Sequence, residues 1–121
     1  VYNALGEKDT ALDFFQQALA IRREGGERKG EGKTLNNLGL VYDALGQKDK
    51  ALDFYQQALA IHREVGNRSV EGATLNNIGR VYRALGQKDK ALDFFQQALA
   101  IHREVGDHPG EGVTLNNPGE V

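Results

Sequence analysis

The sequence predicts an all-α solenoid of antiparallel helix pairs, and three observations carry that expectation. The first is recurrence: residues 41–80 and 81–120 agree at 31 of 40 positions, and residues 1–40 agree with 41–80 at 28. A fixed period of this size marks one supersecondary unit that cannot bury its apolar face alone, so neighbouring units stack to share a core. The second is spacing, because apolar residues inside each period recur at i, i+3, i+4 and i+7, the signature of one helix face rather than of a strand. The third is punctuation by glycine, at Gly46 and Gly66 in the second copy, which divides each period into two helices.

In chain order, residues 1–6 are expected to hold the remnant of a first helix and residues 7–26 the second helix of the same unit. Gly25 and Gly26 replace the pairs Val65-Gly66 and Val105-Gly106 of later copies, so this helix should fray early. Residues 27–66 and 67–106 are the two full repeats. A helix over about 49 to 65 places Ala51, Phe54, Tyr55, Ala58, Ile61, His62 and Val65 on one stripe, with Asp53, Gln56, Gln57 and Arg63 elsewhere. Asp49 suits the positive end of its dipole, while Arg63 and Gly66 mark the other end. The partner helix is defined by Leu75, Ile78, Gly79, Val81, Tyr82 and Leu85, between Asn67 as N-cap and Gly86 as a left-handed C-cap. Gly79 and its counterpart Gly39 cost roughly 1 kcal/mol each against alanine in a helix interior, which predicts close approach of a partner helix. Residues 107–121 form a truncated first helix: Pro118 stands where Leu38 and Ile78 should be buried, and its ring clashes with the carbonyl of Thr114, stopping the helix near Asn117. A chain that opens and closes in the same phase is expected to be cut from a longer array.

Composition narrows the function classes. Hydrophobic residues make up 40% and charged residues 26%, and a formal charge of -2 is spread without a run of one sign. Neither nucleic acid nor an anionic membrane surface is an expected partner. The chain has no cysteine, which removes disulfides, thiol catalysis and cysteine-ligated zinc and suits a reducing compartment, so cytoplasmic localisation is expected. No apolar stretch approaches the roughly 20 residues of a membrane span, and no signal-peptide pattern opens the sequence.

Candidate chemistry is sparse. Gly32-Lys33-Thr34 suggests a phosphate loop, but Glu27 stands where the preceding glycine is required and a helix, not a strand, leads in. His62 and His102 share one repeat position, His108 lies in a linker, and the repeat offers no third ligand. All are expected as partly exposed residues rather than a metal site. Asp53, Glu64 and Glu71 suit solvated faces and helix ends better than a catalytic pair, and no nucleophile stands with a base and an orienting group. The triplet Asn67-Arg68-Ser69 matches a glycosylation acceptor by coincidence. The pairs Phe14-Phe15, Phe54-Tyr55 and Phe94-Phe95 are expected in the core rather than as stacking platforms for bases. No enzyme activity, cofactor or metal is expected.

Leu35-Asn36-Asn37-Leu38-Gly39, Tyr42, Gly46, Ala51, Tyr55 and Ala58 stand in the order and spacing of the tetratricopeptide repeat, and the pattern recurs through the whole chain. The sequence resembles that family, in the 40-residue variety of Pins-type adaptors, kinesin light chains and bacterial regulators. It departs in having leucine at positions 35, 75 and 115 for the frequent tryptophan, and in lacking a proline after the second helix. The resemblance implies a right-handed superhelix of helix-turn-helix units with a concave groove for peptides.

An asparagine ladder, Asn36-Asn37, Asn76-Asn77 and Asn116-Asn117, recurs on each first helix, and in the resembled family this stripe lines the groove. A side-chain amide both donates to and accepts from a peptide backbone. The alternative is that these amides bond only to the adjacent helix. Helical spacing aligns Asn76 with Arg80 and Arg83, and Asn36 with Lys33, Leu40 and Asp43. Arginine grips a carboxylate bidentately, so Arg80 and Arg83 point to an acidic peptide, as the resemblance to Pins-type adaptors also implies. The carboxylate clamp of chaperone adaptors is not matched, since it requires lysine at Asn36 and Asn76 and arginine at Asn117. The expected peptide-binding residues are therefore Lys33, Asn36, Asn37, Asp43, Asn76, Asn77, Arg80, Arg83, Asn116 and Asn117, on a non-catalytic scaffold. A structural or self-assembling role is the other reading: head-to-tail stacking through the terminal half-repeats, a spacer or sensor of a larger regulator, or a consensus-like engineered array.

Overall fold

The structure, a computed structural model, describes residues 4–106, which form five helices and no strand: α1 (Ala4–Glu24), α2 (Arg28–Ala44), α3 (Lys48–Val65), α4 (Arg68–Ala84) and α5 (Lys88–Glu104). The expected truncated helix at 107–121, with Pro118, Asn116 and Asn117, lies outside the described residues. The chain divides into two compact units, Val1–Ile61 and His62–Val121, with the boundary in the last turns of α3. In the first unit α2 packs on α1 and on α3; in the second, α4 packs on α5.

The turns form as glycine placement dictates. After α2, Gly46 adopts φ +79°, its N–H bonds to the Asp43 carbonyl at 3.0 Å, and the Gln47 N–H bonds to the Tyr42 carbonyl at 2.9 Å. This is a Schellman closure, which needs a left-handed residue that only glycine adopts without strain. Gly86 repeats it after α4, with Gly86 N–H to Arg83 and Gln87 N–H to Tyr82. At the helix starts, Asn67 occupies the N-cap position as expected, but its side chain makes no capping hydrogen bond.

Two expectations meet a different outcome in α1. Gly6, the counterpart of Gly46, lies inside the helix rather than at a turn, so the boundary expected after residue 6 is not seen. Glu7 in the first turn favours the positive helix end, and the Thr10 hydroxyl donates to the Gly6 carbonyl at 3.0 Å within the continuous helix. The glycine pair at 25–26 shortens α1 by no more than one residue: it ends at Glu24, in phase with Glu104 of α5 and one position before Val65 of α3.

The core of each unit comes from the predicted stripes. Leu35, Leu38, Ala51, Tyr55 and Ala58 are fully buried in the first unit, and Leu75, Ile78, Val81, Ala91, Phe95 and Ala98 in the second. The two interior glycines explain how the helices close on this core. A Cβ on Gly39 would lie 2.5 Å from the Tyr55 ring, and one on Gly79 would lie 2.7 Å from the Phe95 ring. The aromatic pairs divide their work: Tyr55 and Phe95 enter the core, whereas Phe54 stacks on Tyr42 at 5.3 Å and Phe94 on Tyr82 at 5.5 Å. The Lys50 and Lys90 ammonium groups stand over the rings of those tyrosines, each at 5.4 Å from the ring centre.

Candidate functional site

On α4, Arg80 and Arg83 are exposed and Asn77 is half-buried, while Asn76 is only 6% exposed and has little surface to offer a ligand. Residues 77, 80 and 83 fall within one helical stripe, so an amide and two guanidiniums emerge together on this unit. On α2, Lys33 is exposed, and Asn36 and Asn37 are half-buried. Asp43 is held at the turn by Lys48, whose ammonium reaches both its carboxylate and its carbonyl.

The histidines and one glutamate depart from expectation. His62 and His102 are 0% and 3% exposed, not partly exposed: both sit on the apolar stripe, and the imidazole of His102 lies against Gly72, where a Cβ would be 3.1 Å from its Cε1. Glu71 is buried as well, at 3% exposure, and not on a solvated face. Its carboxylate accepts from Arg63 at 3.0 Å and from Arg68 at 2.8 Å. Glu31 repeats the arrangement with Arg23 at 3.1 Å and Arg28 at 2.9 Å. A carboxylate enters such a site only when its charge is met by directed donors, and the two arginines supply them, one across the turn and one from three residues earlier on the same helix. The recurring arginine, arginine, glutamate spacing is the sequence signal for it.

In the second unit the network extends, because Arg68 also donates to Glu104 at 2.7 and 2.8 Å. This bidentate bond holds the Glu104 carboxyl below its ordinary value of 4.5 and pushes the Arg68 guanidinium further up. A depressed carboxyl adds stability at neutral pH that is lost as pH falls below the unfolded value and through the folded one. The pair is exposed, so the effect on stability is small. A carbon-detected NMR titration should place the Glu104 midpoint below 4.5, and Arg68→Ala should return it to the ordinary range. An unshifted midpoint in the unmodified protein would refute the pairing.

A charged cleft lies at the turn between α1 and α2. It is a shallow depression of about 440 Å³, open to solvent and lined by Arg22, Glu27, Arg28, Lys29, Gly30 and Lys33. The even charge distribution read along the sequence thus conceals a local excess of cations once the helices fold back. Among the described residues no group of three or more histidine, aspartate or glutamate side chains could hold a metal ion, and no helix is long and apolar enough to cross a membrane.

Helices paired through glycine contacts and repeated every 40 residues define a helical-repeat protein. The chain belongs to the tetratricopeptide repeat family, whose model matches residues 1–64 and 70–121. Repeats of this family generally mediate protein–protein interaction and are typically non-catalytic. Among solved structures, the nearly identical TPR-like repeats of a candidate kinesin light chain from Podosopora anserina match with a TM-score of 0.74 and 23% identity, covering 90% of this chain and 55% of that one. Aspartyl phosphate phosphatase F from Bacillus subtilis matches with a TM-score of 0.82 and 24% identity, over 96% of this chain and 32% of that one. BtubC (BKLC) from P. vanneervenii gives 0.71 and 20%, over 93% and 56%. At these identities the likeness is one of fold, and the chain spans between a third and just over half of the structures it resembles. No curated protein matches the sequence.

Proposed function

We propose that the chain is a non-catalytic interaction module of the cytoplasm that binds an extended or partly helical acidic peptide, with Arg80 and Arg83 selecting its carboxylates. One observation carries this reading. The exposed positions 80 and 83 are both arginine, whereas their counterparts are Leu40, which is apolar, and Asp43, which carries the opposite charge. Variation at these solvent-facing positions alters what the stripe recognises without disturbing the core beneath it. Asn77 beside them offers a donor and an acceptor to a peptide backbone. Within the first unit, Lys33, Asn36 and Asn37 offer related chemistry on α2, and Asn116 and Asn117 would repeat the amide pair. Asn76, being buried, supports its helix more than it contacts a ligand.

Few repeats offer a small binding surface, and ordering a flexible peptide is costly, so the affinity is modest. Turning one guanidinium–carboxylate pair into two facing carboxylates should weaken binding by about tenfold or more. The double variant R80E/R83E should therefore show no measurable binding of an acidic peptide in fluorescence anisotropy. Unchanged affinity refutes the assignment.

A second reading, assembly with further helical repeats, is favoured by the outer face of α1. Phe14 and Ile21 are 67% and 65% exposed, whereas Ile61 and Ile101, the counterparts of Ile21, are 5% and 6%. Later copies of this face are covered, which makes it a surface suited to another repeat. Light scattering over a concentration series decides: a strict monomer at high concentration removes self-assembly, while oligomers together with a peptide array that yields no ligand would favour it.

A further inference from the structure

We infer that the cleft at the α1–α2 turn is a binding site for a phosphate group, distinct from the α4 stripe. Its six lining residues carry four cations, Arg22, Arg28, Lys29 and Lys33, against the carboxylate of Glu27 in the lining and that of Glu31, which already holds Arg28, in a chain whose overall formal charge is -2. The volume of about 440 Å³ is in the range of small-ligand sites, roughly 300–1,000 Å³.

Comparison between the copies shows that this is not a by-product of the repeat. The second copy has His62, Asn67, Arg68, Ser69, Val70 and Ala73 at the same positions, so five of the six differ. Those five are among only 12 positions at which residues 1–40 depart from 41–80. Three of the changes, at Arg22, Lys29 and Lys33, introduce cations around one cavity, and a fourth provides Gly30. Its missing side chain leaves room for Arg22, whose Nη1 would lie 2.7 Å from a Cβ there.

The chemistry of the lining selects the ligand. No aromatic or branched apolar side chain is present to hold a base or a hydrocarbon, so the occupant is compact and highly charged. Arg22 already binds an anion, the Glu27 carboxylate, at 3.2 Å. That pair is exposed on both sides and correspondingly weak, so an incoming anion of higher charge displaces it readily. Glu27 holds Arg22 and Glu31 holds Arg28, so the added charge is that of Lys29 and Lys33, which a lone carboxylate would match only in part. A phosphate, with three acceptor oxygens and nearly two negative charges, satisfies several of these donors together. Lys29 and Lys33 stand one helical turn apart on α2 and complete the cradle.

The probe is inorganic pyrophosphate, titrated without divalent metal into the full chain and followed by amide NMR shifts. Saturable shifts at residues 28–33 are expected. Lys29→Glu should weaken binding by about tenfold or more, whereas Lys90→Glu, the same charge change on α5, should alter it by less than about twofold. A phosphoserine peptide and its unphosphorylated twin form a second arm. Preference for the phosphorylated form assigns the group to a protein ligand, and binding of pyrophosphate alone assigns it to a free metabolite. Absence of saturable shifts with both probes overturns the site, as does equal weakening by the two lysine variants. The cleft uses no residue of α4 and shares only Lys33 with the peptide-binding set, so its failure leaves the assignment to Arg80 and Arg83 standing.

Discussion

Replacing Gly79 or Gly39 with alanine is expected to destabilise the protein by about 1–2 kcal/mol, although helix propensity alone would favour alanine by roughly 1 kcal/mol. The two effects oppose each other, and the geometry decides between them. A Cβ at position 79 would meet Phe95 at 2.7 and 2.8 Å, and one at position 39 would meet Tyr55 at 2.5 and 2.6 Å. Both rings are almost wholly buried and packed on all sides, so they do not swing away. Overpacking therefore wins, and valine, with two more methyl groups and a poorer helix propensity, should cost about 3 kcal/mol or more.

Gly30 supplies the control. Its added Cβ would also come within 2.7 Å of a neighbour, but that neighbour is the flexible Arg22 side chain, which only an exposed bond to Glu27 restrains. Gly30→Ala should be neutral or slightly stabilising by urea denaturation, whereas Gly79→Ala should lower the midpoint. Equal behaviour of the two variants would show that local propensity, and not interhelical contact, sets the cost. Pairing Gly79→Ala with Phe95→Leu should lose less than the sum of the single changes, because the smaller side chain vacates the space that the Cβ needs.

This contrast indicates which features are legible without coordinates. Close approach at Gly39 and Gly79 follows from a cost in propensity that needs a reason, and the helices follow from an apolar period that tertiary contacts reinforce. The expected helix at about 49 to 65 appears as Lys48–Val65. Features that depend on chain reversal are harder to read. Arg63 and Glu71 are eight residues apart, on different helices, and only the turn at Gly66 brings them to 3.0 Å. The cationic cleft is of the same kind, since Arg22 belongs to α1 and Lys33 to α2. His62 and His102 mislead for another reason: spacing puts them on the buried stripe while residue type argues for exposure, and spacing prevails. In the candidate site, exposure of Arg80 and Arg83 agrees with helical phase, whereas burial of Asn76 next to half-buried Asn77 depends on contacts that phase alone does not resolve.

Unpairing Glu71 is expected to be the costliest polar change in the second unit. Its carboxylate is 3% exposed, while Arg63 and Arg68 retain 51% and 42% of their side-chain surface. The two sides of the bridge therefore respond unequally to removal of a partner. Glu71→Gln keeps the shape and leaves arginines that water solvates, so the loss should be about 1–2 kcal/mol. Arg63→Met with Arg68→Met removes both donors and strands a buried carboxylate, for which about 3–5 kcal/mol is expected. Adding Glu71→Leu to that double variant should restore most of the stability, since an apolar side chain then occupies a site with no charge left to satisfy. Urea melts of the three variants test this order. If removing both arginines proved milder than Glu71→Gln, the carboxylate would have to be solvated in the folded protein, and the bridge would be a surface contact instead of an anchor between α3 and α4.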